Sequence, residues 1–429
     1  MKIVIATAVY YPMINGVAVF SHNLALGLAE RGHEVVVICP SQTGQNYTIQ
    51  EGKITVHYLK SVEVKVYPDQ IHQVPARRKV LGVRLPRLFY RHGFRVSVFP
   101  AKEVRQIMQD FRPDVVHVQV SDPIGLSVVA YAKKYGIPVV TTEHNQPEVL
   151  TEPLHVPKII KKPAQSALRA YFVNRQSKSD FVTMPTKKAI SDLIWSRKRY
   201  FDVPVAAVSN GVDLSKFSAG EPAREVYAKY GVPKDAEVVL YVGRVDPEKR
   251  VDVVIEAFAK MLKNDSNKLD SKSNICLVIA GDGVDKARLV RLVEKLGVSE
   301  KVVFLGRVVP PDLYDVYKMG TIFVTASEIE TQGIVLIEAA ASGLPLIAVD
   351  KGAVSEVCVD QENGFLCQPG NVSEIAAAMW RLMSDAKLRK KFAAKSLEIA
   401  KEHDFETTLD KFENIYRKVI RNNAKVAEK

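Results

Sequence analysis

Short apolar runs alternate with longer amphipathic segments along the first half of the chain. Such runs predict buried strands, and the segments between them have the spacing of helices. Strands that are apolar on both faces and are separated by helices are typical of a parallel sheet covered on each side. The predicted strands are Lys2–Ala8, Glu34–Cys39, Val115–Val118 and Pro138–Thr142, and the predicted helices are Val17–Glu30 and Leu126–Tyr135.

The same alternation begins again in the second half. Because 429 residues are too many for one hydrophobic core, the restart predicts a second domain. We expect doubly wound α/β domains at 1–203 and 204–404, with a C-terminal helix at about 405–429 that packs back on the first domain. Ligands of such sheets bind beyond the carboxyl ends of the strands, so a cleft between the domains is the predicted site. The second set of predicted elements comprises strands at Glu237–Gly243, Ile275–Ala280, Val302–Leu305, Thr321–Thr325 and Leu346–Val349, with helices at Val251–Leu262, Lys286–Leu296 and Ile334–Ala341.

Composition is that of an ordinary globular protein, with 47% hydrophobic and 25% charged residues. The four cysteines lie in apolar runs without the spacing of metal ligands, which argues against a disulfide framework and favours a reducing compartment. The N-terminus predicts a strand rather than a signal peptide, and no run of about 18 apolar residues predicts a membrane span. We therefore expect a cytoplasmic protein.

Positive charge is concentrated in the first half of the chain. Residues 1–200 hold 28 Lys and Arg against 14 Asp and Glu, whereas the remainder holds 32 against 34. This excess serves either solubility or an anionic partner, a lipid surface or a nucleic acid. Because the chain has no known nucleic-acid module, we expect no nucleic acid as partner. The basic residues selected as a candidate acceptor or membrane surface are Arg77, Arg78, Lys79, Arg84, Arg87, Arg91, Lys161 and Lys162.

Two glutamates, Glu330 and Glu338, flank a predicted loop-to-helix junction at Gly333. Glu330 would lie on the loop and Glu338 about two turns inside the helix. The free amides of the first turn, from about Gly333 to Leu336, would form an anion site. A phosphate there would have a carboxylate on each side, which suits a sugar nucleotide. A surface helix with a stray acid is the plainer alternative.

A second candidate motif follows a predicted strand at Gly243. The glycine permits close backbone approach, and Arg244 and Lys249 emerge where an anion would lie. A guanidinium and an ammonium five residues apart can bind a diphosphate and neutralise its charge as it leaves, although solvated basic residues on a turn remain the alternative. Gly281 ends a further strand and brings a third strand end to the same edge.

Two positions in the first half extend the candidate site. His144 follows a strand, where a substrate contact and a structural role are equally open, and Gly16 lies between the first strand and the first helix. The Gly16 loop lacks the three-glycine fingerprint of dinucleotide binding. The sequence has no Asp-x-Asp triplet and no His/Cys cluster with metal spacing. We therefore expect no metal ion or other cofactor, and expect Arg and Lys to carry the diphosphate.

With these residues in place, the chain resembles the retaining glycosyltransferases of family 4, whose GT-B fold consists of two Rossmann-like domains facing a central cleft. The resemblance covers nearly the whole chain. The motifs that carry it are Gly32-His33-Glu34-Val35, Pro113-Asp114-Val115-Val116-His117, Asn210-Gly211-Val212-Asp213, Gly243-Arg244 with Lys249, and the Glu330/Glu338 pair.

The resemblance implies a role for each matching side chain. Arg244 and Lys249 would bind the donor diphosphate, and Glu338 the ribose hydroxyls. Glu330 would bind the donor sugar, and His144 would contact it near its 6-hydroxyl. Arg244, Lys249, Glu330 and His144 are the implied catalytic set.

Backbone positions have implied roles as well. The amides near Gly333, Ile334 and Val335 would meet phosphate and sugar, Gly16 would lie beside donor and acceptor, and the base would rest near Arg307. The implied chemistry is independent of metal and keeps the anomeric configuration. It proceeds by front-side attack, with the leaving phosphate accepting the acceptor's proton. The full donor-binding set is Gly16, Gly243, Arg244, Lys249, Gly281, Arg307, Glu330, Gly333, Ile334, Val335 and Glu338.

Within the family, Gly16-Val17-Ala18 and Glu330-Thr331-Gln332-Gly333 are most similar to the diacylglycerol glucosyltransferases, which make membrane glycolipids from a UDP-sugar. The resemblance implies transfer of glucose from UDP-glucose onto a lipid such as 1,2-diacylglycerol, by a protein peripheral on the inner face of the cell membrane. The basic segment 77–95 interleaves apolar residues, which suits either an interfacial segment or an amphipathic helix packed on its own domain.

Several alternatives stay open. The same fold and chemistry serve a polyprenyl-linked or soluble glycan acceptor, or a mannosyl donor. A sugar-nucleotide epimerase would need proton-shuttling acids that are not evident in the sequence. Glu328 adds an acid beside Glu330, so either carboxylate could face the sugar. Gln119 stands where many relatives have histidine, and Glu143-His144-Asn145 differs from the Tyr-His-Thr common in the lipid subgroup. The oligomeric state is open as well.

Overall fold

The computed structural model describes residues 1–11, 16–63, 95–119, 122–144, 158–194, 202–264 and 274–427. The chain divides into two compact units. Unit 1 comprises Met1–Asn210 and Thr408–Lys429, and unit 2 comprises Gly211–Thr407. Unit 1 is therefore built from both ends of the chain, with unit 2 inserted between them in sequence.

Unit 1 is organised around a mainly parallel sheet. Its described strands are β1 (Lys2–Ala6), β2 (Glu34–Pro40), β3 (Tyr47–Glu51), β4 (Ile54–Leu59), β5 (Ser61–Glu63), β6 (Arg95–Ser97), β7 (Val115–Val118), β8 (Val139–Thr142), β9 (Phe181–Met184) and β10 (Val205–Ala207). The sheet order is β10-β9-β8-β7-β1-β2-β4-β3, and within it β3 runs antiparallel to β4 at one edge. Strands β5 and β6 form a separate antiparallel ribbon.

Helices cover this sheet because its strands are apolar on both faces. The described helices before unit 2 are α1 (Gly16–Glu30), α2 (Ala101–Phe111), α3 (Pro123–Lys134), α4 (Lys158–Gln176) and α5 (Lys187–Ile194). Val4 and Val116 on the central strands pack with Met108 of α2 and Val128 of α3 in one buried cluster. The Asp122 carboxylate accepts the amide of Gly125 at 2.8 Å and so caps the start of α3.

Unit 2 has a parallel sheet of the same kind. Its strands are β11 (Glu237–Val242), β12 (Ile275–Ala280), β13 (Val302–Gly306), β14 (Ile322–Val324), β15 (Leu346–Val349) and β16 (Gly364–Cys367), and its helices are α6 (Arg224–Tyr230), α7 (Val251–Asn264), α8 (Lys286–Leu296), α9 (Asp312–Lys318), α10 (Ile334–Ala341), α11 (Val372–Ser384) and α12 (Ala386–Lys401). Successive residues of β11 enter opposite cores: Tyr241 packs with Phe258 of α7, and Leu240 packs with Leu336 of α10. The sheet is therefore buried on both faces.

The strand order of unit 2 locates its binding edge. The order β13-β12-β11-β14-β15-β16 runs outward in both directions from the neighbours β11 and β14. The carboxyl ends of two such neighbours diverge into opposite layers of helices, and the crevice between them is where parallel sheets bind ligands. The two loops that carry Lys249 and Glu330 follow these two strands.

The last helix, α13 (Phe405–Ala427), returns the chain to unit 1. Phe412 packs against Phe20 of α1 with the ring centroids 5.9 Å apart, and Tyr416 is fully buried against His117 of β7. Arg31 and His33 hold the surface of the helix through Asp410 and Glu413.

The prediction of doubly wound α/β domains is confirmed by these two sheets. The sequence placed the domain seam before Val205, but β10 pairs in parallel with β9, so the first unit extends to Asn210. The β3–β4 hairpin and the β5–β6 ribbon were not predicted, because their residues alternate between polar and apolar without the continuous apolar runs of the parallel strands. Among the described helices, none has the length and apolarity needed to cross a membrane.

Candidate active site

Glycines bring three strand ends of unit 2 into close backbone contact. The amide of Gly243 donates to the carbonyl of Ala280 at 3.0 Å, and the amide of Gly281 donates to the carbonyl of Gly306 at 2.8 Å. A β-carbon built on Gly281 would lie 1.8 Å from the carbonyl oxygen of Gly243. Only a residue without a side chain fits there, so the glycines are needed to join these strand ends.

Lys249 and Glu330 form an ion pair across the binding edge. Nζ of Lys249 is 2.6 Å from Oε1 of Glu330, and both side chains are about four-fifths buried or more, at 16% and 15% exposure. Lys249 follows β11 and ends a short 3-10 helix, and Glu330 lies on the loop after β14. Nζ of Lys249 also donates to Oγ of Ser327 at 3.4 Å. The two charges predicted to meet diphosphate and sugar therefore lie side by side.

Arg244 is paired with two acids of its own loop. Its guanidinium binds the carboxylate of Asp246 and donates to Oε1 of Glu248 at 2.6 Å. Its carbonyl accepts the hydroxyl of the buried Tyr241 at 2.7 Å, which fixes the backbone of the loop. A diphosphate that recruited this guanidinium would compete with both carboxylates.

Glu328 has different partners from Glu330. Its carboxylate accepts from Arg250 at 3.1 Å and from Lys351 at 2.8 Å. Both acids lie on the loop after β14, but Glu328 faces two outer cations and Glu330 faces Lys249. Of the two acids that the sequence could not separate, Glu330 is the one beside the predicted diphosphate ligand.

The outer contacts continue as a chain of alternating charges, which we call the ionic ladder: Lys351, Glu328, Arg250, Asp252, Arg288 and Asp285. Nε of Arg250 is 3.3 Å from Asp252, and Nη2 of Arg288 is 3.3 Å from the same acid. Arg288 also binds Asp285 through two hydrogen bonds of 2.6 and 2.7 Å. The ladder links the segments that follow β11, β12, β14 and β15, and so ties together the loops around the binding edge.

Gly333 starts the helix that faces this edge. Its φ of 75° lies in the left-handed region, which favours glycine, and α10 begins at the next residue. Glu338 consequently lies about one turn inside the helix, not two as predicted. The amide of Leu336 already donates to the carbonyl of Gly333 at 2.8 Å, so the predicted set of free amides ends at Val335. Ile334 and Val335 are half-buried.

Glu338 is a half-buried acid with one strong hydrogen bond. The hydroxyl of Tyr317 donates to its Oε2 at 2.6 Å. Removal from water raises the pKa of Glu338 to about 7, although the Tyr317 hydrogen bond acts in the opposite direction. The carboxylate therefore changes protonation near neutral pH.

In unit 1, His144 lies beyond the carboxyl end of β8 and is buried. Its Nε2 is 2.8 Å from Oε1 of Gln119, which follows β7. The ring packs edge-on against Phe20 with the centroids 5.3 Å apart. Burial lowers the pKa of His144 to about 4, so the imidazole is neutral at pH 7.

A buried polar network continues below His144. Nδ1 of His117 lies 2.7 Å from the Tyr416 hydroxyl, and its Nε2 lies 2.6 Å from Oγ1 of Thr142. Burial lowers the pKa of His117 to about 3. Sequence reasoning identified His117 only as part of a motif and missed Tyr416, because the two are separated by 299 positions and no spacing rule connects them.

The remaining predicted residues take no part in the hydrogen bonds and ion pairs described above. Gly16 is the exposed first residue of α1, Arg307 is exposed directly after β13, and Lys162 is exposed on α4. Lys161 lies in the same helix, but its side chain is outside the described part of the chain. Within the described ranges, no three His, Cys, Asp or Glu side chains come together as a metal site. The predicted surface residues outside the described residues are Arg77, Arg78, Lys79, Arg84, Arg87 and Arg91.

Comparison with known protein families gives two matches, one in each half of the chain. The model for "Glycosyltransferase Family 4" matches residues 14–216, and the model for "Glycosyl transferases group 1" matches residues 223–398. Together the two models span both units. The chain belongs to glycosyltransferase family 4, a family of retaining enzymes with the GT-B fold.

The individual relatives described next have low sequence identity to this chain. The chain is 29% identical to alpha-monoglucosyldiacylglycerol synthase of Acholeplasma laidlawii over 85% of its own length and 84% of that protein. It is 24% identical to N-acetyl-alpha-D-glucosaminyl L-malate synthase of Bacillus anthracis, over 96% of both chains. Among solved structures it is similar to sucrose-phosphate synthase of Thermosynechococcus elongatus (TM-score 0.72, 17% identity, covering 98% and 99%). It is also similar to Anabaena HepE in complex with UDP-glucose (TM-score 0.67, 16% identity, covering 97% and 100%).

Proposed function

We propose that this glycosyltransferase moves glucose from UDP-glucose onto a membrane lipid such as 1,2-diacylglycerol, with retention of the anomeric configuration. The observation that carries the donor half of the proposal is the Lys249–Glu330 ion pair beside the start of α10. A cation, an anion and free helix amides within one crevice match the three parts of a sugar diphosphate: the phosphate charge, the sugar hydroxyls and the phosphate oxygens.

A bound donor would separate Lys249 from Glu330, because its diphosphate would bind one and its sugar the other. The diphosphate would take the ammonium of Lys249 and draw the guanidinium of Arg244 from Asp246 and Glu248. Glu330 would then accept hydroxyls of the glucose, and the amides of Gly333, Ile334 and Val335 would meet phosphate and sugar. Ionised Glu338 would accept the ribose hydroxyls, and the uracil would rest near Arg307.

The reaction would use the donor's own phosphate as base. The bond from C1 to the phosphate oxygen breaks while the acceptor oxygen bonds to C1 on the same face. The acceptor's proton passes to the leaving phosphate oxygen, so atoms and charge balance without a side-chain base. Lys249 and Arg244 would stabilise the charge that grows on the diphosphate, a role that would otherwise fall to a divalent metal ion. His144 would contact the sugar near its 6-hydroxyl, and Gly16 would lie beside donor and acceptor.

The lipid acceptor is supported by charge and by the names of relatives. A lipid acceptor stays in its bilayer, and the positive excess of residues 1–200 suits an anionic cytoplasmic leaflet. Lys162 is exposed on α4 and belongs to this basic half. The Acholeplasma laidlawii relative is named for a glucosyldiacylglycerol product. We therefore propose a cytoplasmic protein peripheral on the inner face of the membrane.

A second acceptor class has support of its own. The Bacillus anthracis relative is named for a product of L-malate, a small soluble acid, and it matches 96% of this chain. Identities of 24% and 29% are too close to each other to rank the two acceptors. A basic first half would serve an acidic small acceptor as well as an anionic lipid surface.

One experiment separates these possibilities. The protein is incubated with radiolabelled UDP-glucose and anionic liposomes that contain diacylglycerol, followed by organic extraction. We expect label in the lipid phase, none with diacylglycerol-free liposomes, and none with the Glu330→Gln variant. Label that stays in water and moves to L-malate when malate is supplied would overturn the lipid acceptor and keep the donor site. Failure to bind or turn over UDP-glucose would overturn the proposed donor.

A further inference from the structure

We infer that Gln119 is a positioning residue that fixes the tautomer of His144, so that His144 offers a hydrogen-bond acceptor at Nδ1. This inference rests on the proposed function for its consequence, because His144 is there assigned to a hydroxyl of the donor sugar. The tautomer itself follows from contacts within unit 1.

The orientation of the Gln119 amide is the first step. Its Nε2 is 3.4 and 3.3 Å from Nδ1 and Nε2 of His117, so its NH2 group is turned to that ring. Its oxygen consequently points the other way, to Nε2 of His144 at 2.8 Å. The backbone is held too, because the amide of Gln119 donates to the carbonyl of Ala6 at 2.8 Å.

The second step follows from the chemistry of an amide oxygen. A carbonyl oxygen can only accept, so the hydrogen of the 2.8 Å contact belongs to Nε2 of His144. A neutral imidazole carries one N–H, which leaves the lone pair on Nδ1. The ring cannot exchange its nitrogens easily, because it is buried and packs against Phe20.

Within the described part of the chain, the ionisable groups near this contact have hydrogen-bond partners other than His144. The carboxylate of Glu143, the adjacent residue, accepts from Nε2 of Gln176 at 3.0 Å. Both nitrogens of His117 face hydroxyls, of Tyr416 and Thr142. Among the described residues, Gln119 is the side chain hydrogen-bonded to the His144 ring. The identity of residue 119 therefore decides which nitrogen of His144 carries the hydrogen.

This assignment has a consequence for the substrate. An acceptor at Nδ1 favours a partner that donates, such as a sugar hydroxyl, and disfavours a carboxylate or carbonyl oxygen at the same place. A glutamate at position 119 would instead stabilise the doubly protonated ring, which donates from both nitrogens. The change from Gln to Glu would thus reverse the hydrogen-bonding character of His144 without moving it.

The test reads the tautomer directly. The protein is labelled with ¹⁵N-histidine, and the ring nitrogens are observed at pH 7 without substrate, with a His144→Gln variant to assign the signal. We expect Nε2 protonated and Nδ1 unprotonated. A protonated Nδ1 would overturn the inference whether or not the proposed transfer reaction is correct, because no substrate is present.

Two variants then test the role of Gln119. In Gln119→Glu we expect the His144 pKa to rise, so that kcat/KM for UDP-glucose falls on the acid side of neutrality and recovers at higher pH. In Gln119→Leu we expect mixed tautomers and about a tenfold loss of kcat/KM, the size of one neutral hydrogen bond. Gln106→Glu, at an exposed position of α2, is the matched control and should change neither reading. An unaltered tautomer in both Gln119 variants would overturn the positioning role.

Discussion

At the strand edge of unit 2 the described side chains form ion pairs between opposite charges, whereas at that of unit 1 neutral side chains such as His144 and Gln119 lie beside the Glu143 carboxylate. Lys249, Glu330 and the ionic ladder surround the edge of the second sheet. At the corresponding edge of the first sheet, His144 and His117 are both neutral, because burial lowers the pKa of each well below 7. Two sheets of the same class therefore offer two different chemical environments.

Net charge along the sequence shows the opposite distribution, with more of it in residues 1–200 than in the remainder. The positive excess lies in residues 1–200, but the polar side chains described at that strand edge are the neutral His144 and Gln119 and the acid Glu143. The remainder of the chain is nearly neutral, but it concentrates cations and anions together at one strand edge. Net charge of a region thus describes its outer surface, while burial decides what the strand edge can bind. Under the proposed function, a diphosphate would bind at the second edge and sugar hydroxyls at the first.

Of the changes that test this comparison, removal of the Lys249–Glu330 ion pair should have the largest effect on activity. We expect Lys249→Ala and Glu330→Gln each to cost on the order of 2–4 kcal/mol of transition-state stabilisation, or roughly 30- to 1000-fold in kcat/KM. Each change also leaves a largely buried partner without its counter-charge. Steady-state kinetics with UDP-glucose measure this, with Lys260→Ala, at an exposed position of α7, as control. Near-normal rates in both variants would refute the assignment of the donor site to this edge.

We expect a change in the hydrogen-bond network around His117 in unit 1 to lower the stability of the protein. Tyr416→Phe removes the hydroxyl at Nδ1 of His117 and leaves this buried nitrogen only the longer 3.4 Å contact with the Gln119 amide. We expect the free energy of unfolding to fall by about 1–3 kcal/mol, measured by urea denaturation. Tyr135→Phe, at a half-exposed tyrosine of the same unit, should have little effect. An equal change in the two variants would mean that the network contributes nothing specific.

The pKa values of His144 and His117 determine the direction in which the stability of unit 1 changes with pH. Both have folded pKa values below the ordinary 6.5, at about 4 and about 3. The unfolded chain therefore binds more protons once the pH falls below 6.5. We expect these two groups to lower the stability of unit 1 progressively from pH 6.5 towards pH 4, and to contribute nothing further above pH 7.

Tyr317→Phe should move the pH dependence of donor binding. The Tyr317 hydroxyl stabilises ionised Glu338, whose pKa is about 7. An ionised carboxylate accepts ribose hydroxyls, so UDP affinity should rise with pH through neutrality. Without the hydroxyl, we expect that midpoint to move up by roughly 1 pH unit. Calorimetric titration with UDP across pH measures it, with Tyr227→Phe as control. A midpoint unchanged by Tyr317→Phe would exclude Glu338 as the titrating group.

Glu328→Gln should have the smallest effect. It weakens the ionic ladder but leaves Lys249 and Glu330 paired. Since the ladder's side chains are partly exposed, we expect a loss of about 1 kcal/mol or less in kcat/KM, and less at high salt. Exposed Glu294→Gln is the control. A larger loss than that of Glu330→Gln would make Glu328 the acid that faces the sugar.

Sequence patterns predicted the strands and helices whose formation depends on the local run of apolar residues. Continuous apolar runs such as Ile275–Ala280 predicted buried strands with the correct bounds, and the apolar run after Gly333 predicted α10 correctly at Ile334–Ala341. The pairing of β3 with β4 was missed, because it joins half-exposed edge residues that no apolar run marks.

The site was predictable only as a set of residue types. Glu328 and Glu330 are equivalent in sequence, and they are distinguished by distant partners, Arg250 and Lys351 for one and Lys249 for the other. His144 was a candidate because it ends a strand, but its hydrogen-bonding character depends on the Gln119 amide, which is oriented by His117. Such long-range relationships carry no signal in the spacing of one sequence.

The return of α13 to unit 1 also sets the order in which the protein can be completed during synthesis. Unit 2 is contiguous at Gly211–Thr407, so the ribosome releases all of it before the helix that unit 1 still needs. Until Phe412 and Tyr416 emerge, the faces of Phe20 and His117 that they cover are open to water or to a chaperone. The segment translated first is therefore finished last, and a nascent chain stalled within α13 would carry a mature unit 2 beside an unsealed unit 1.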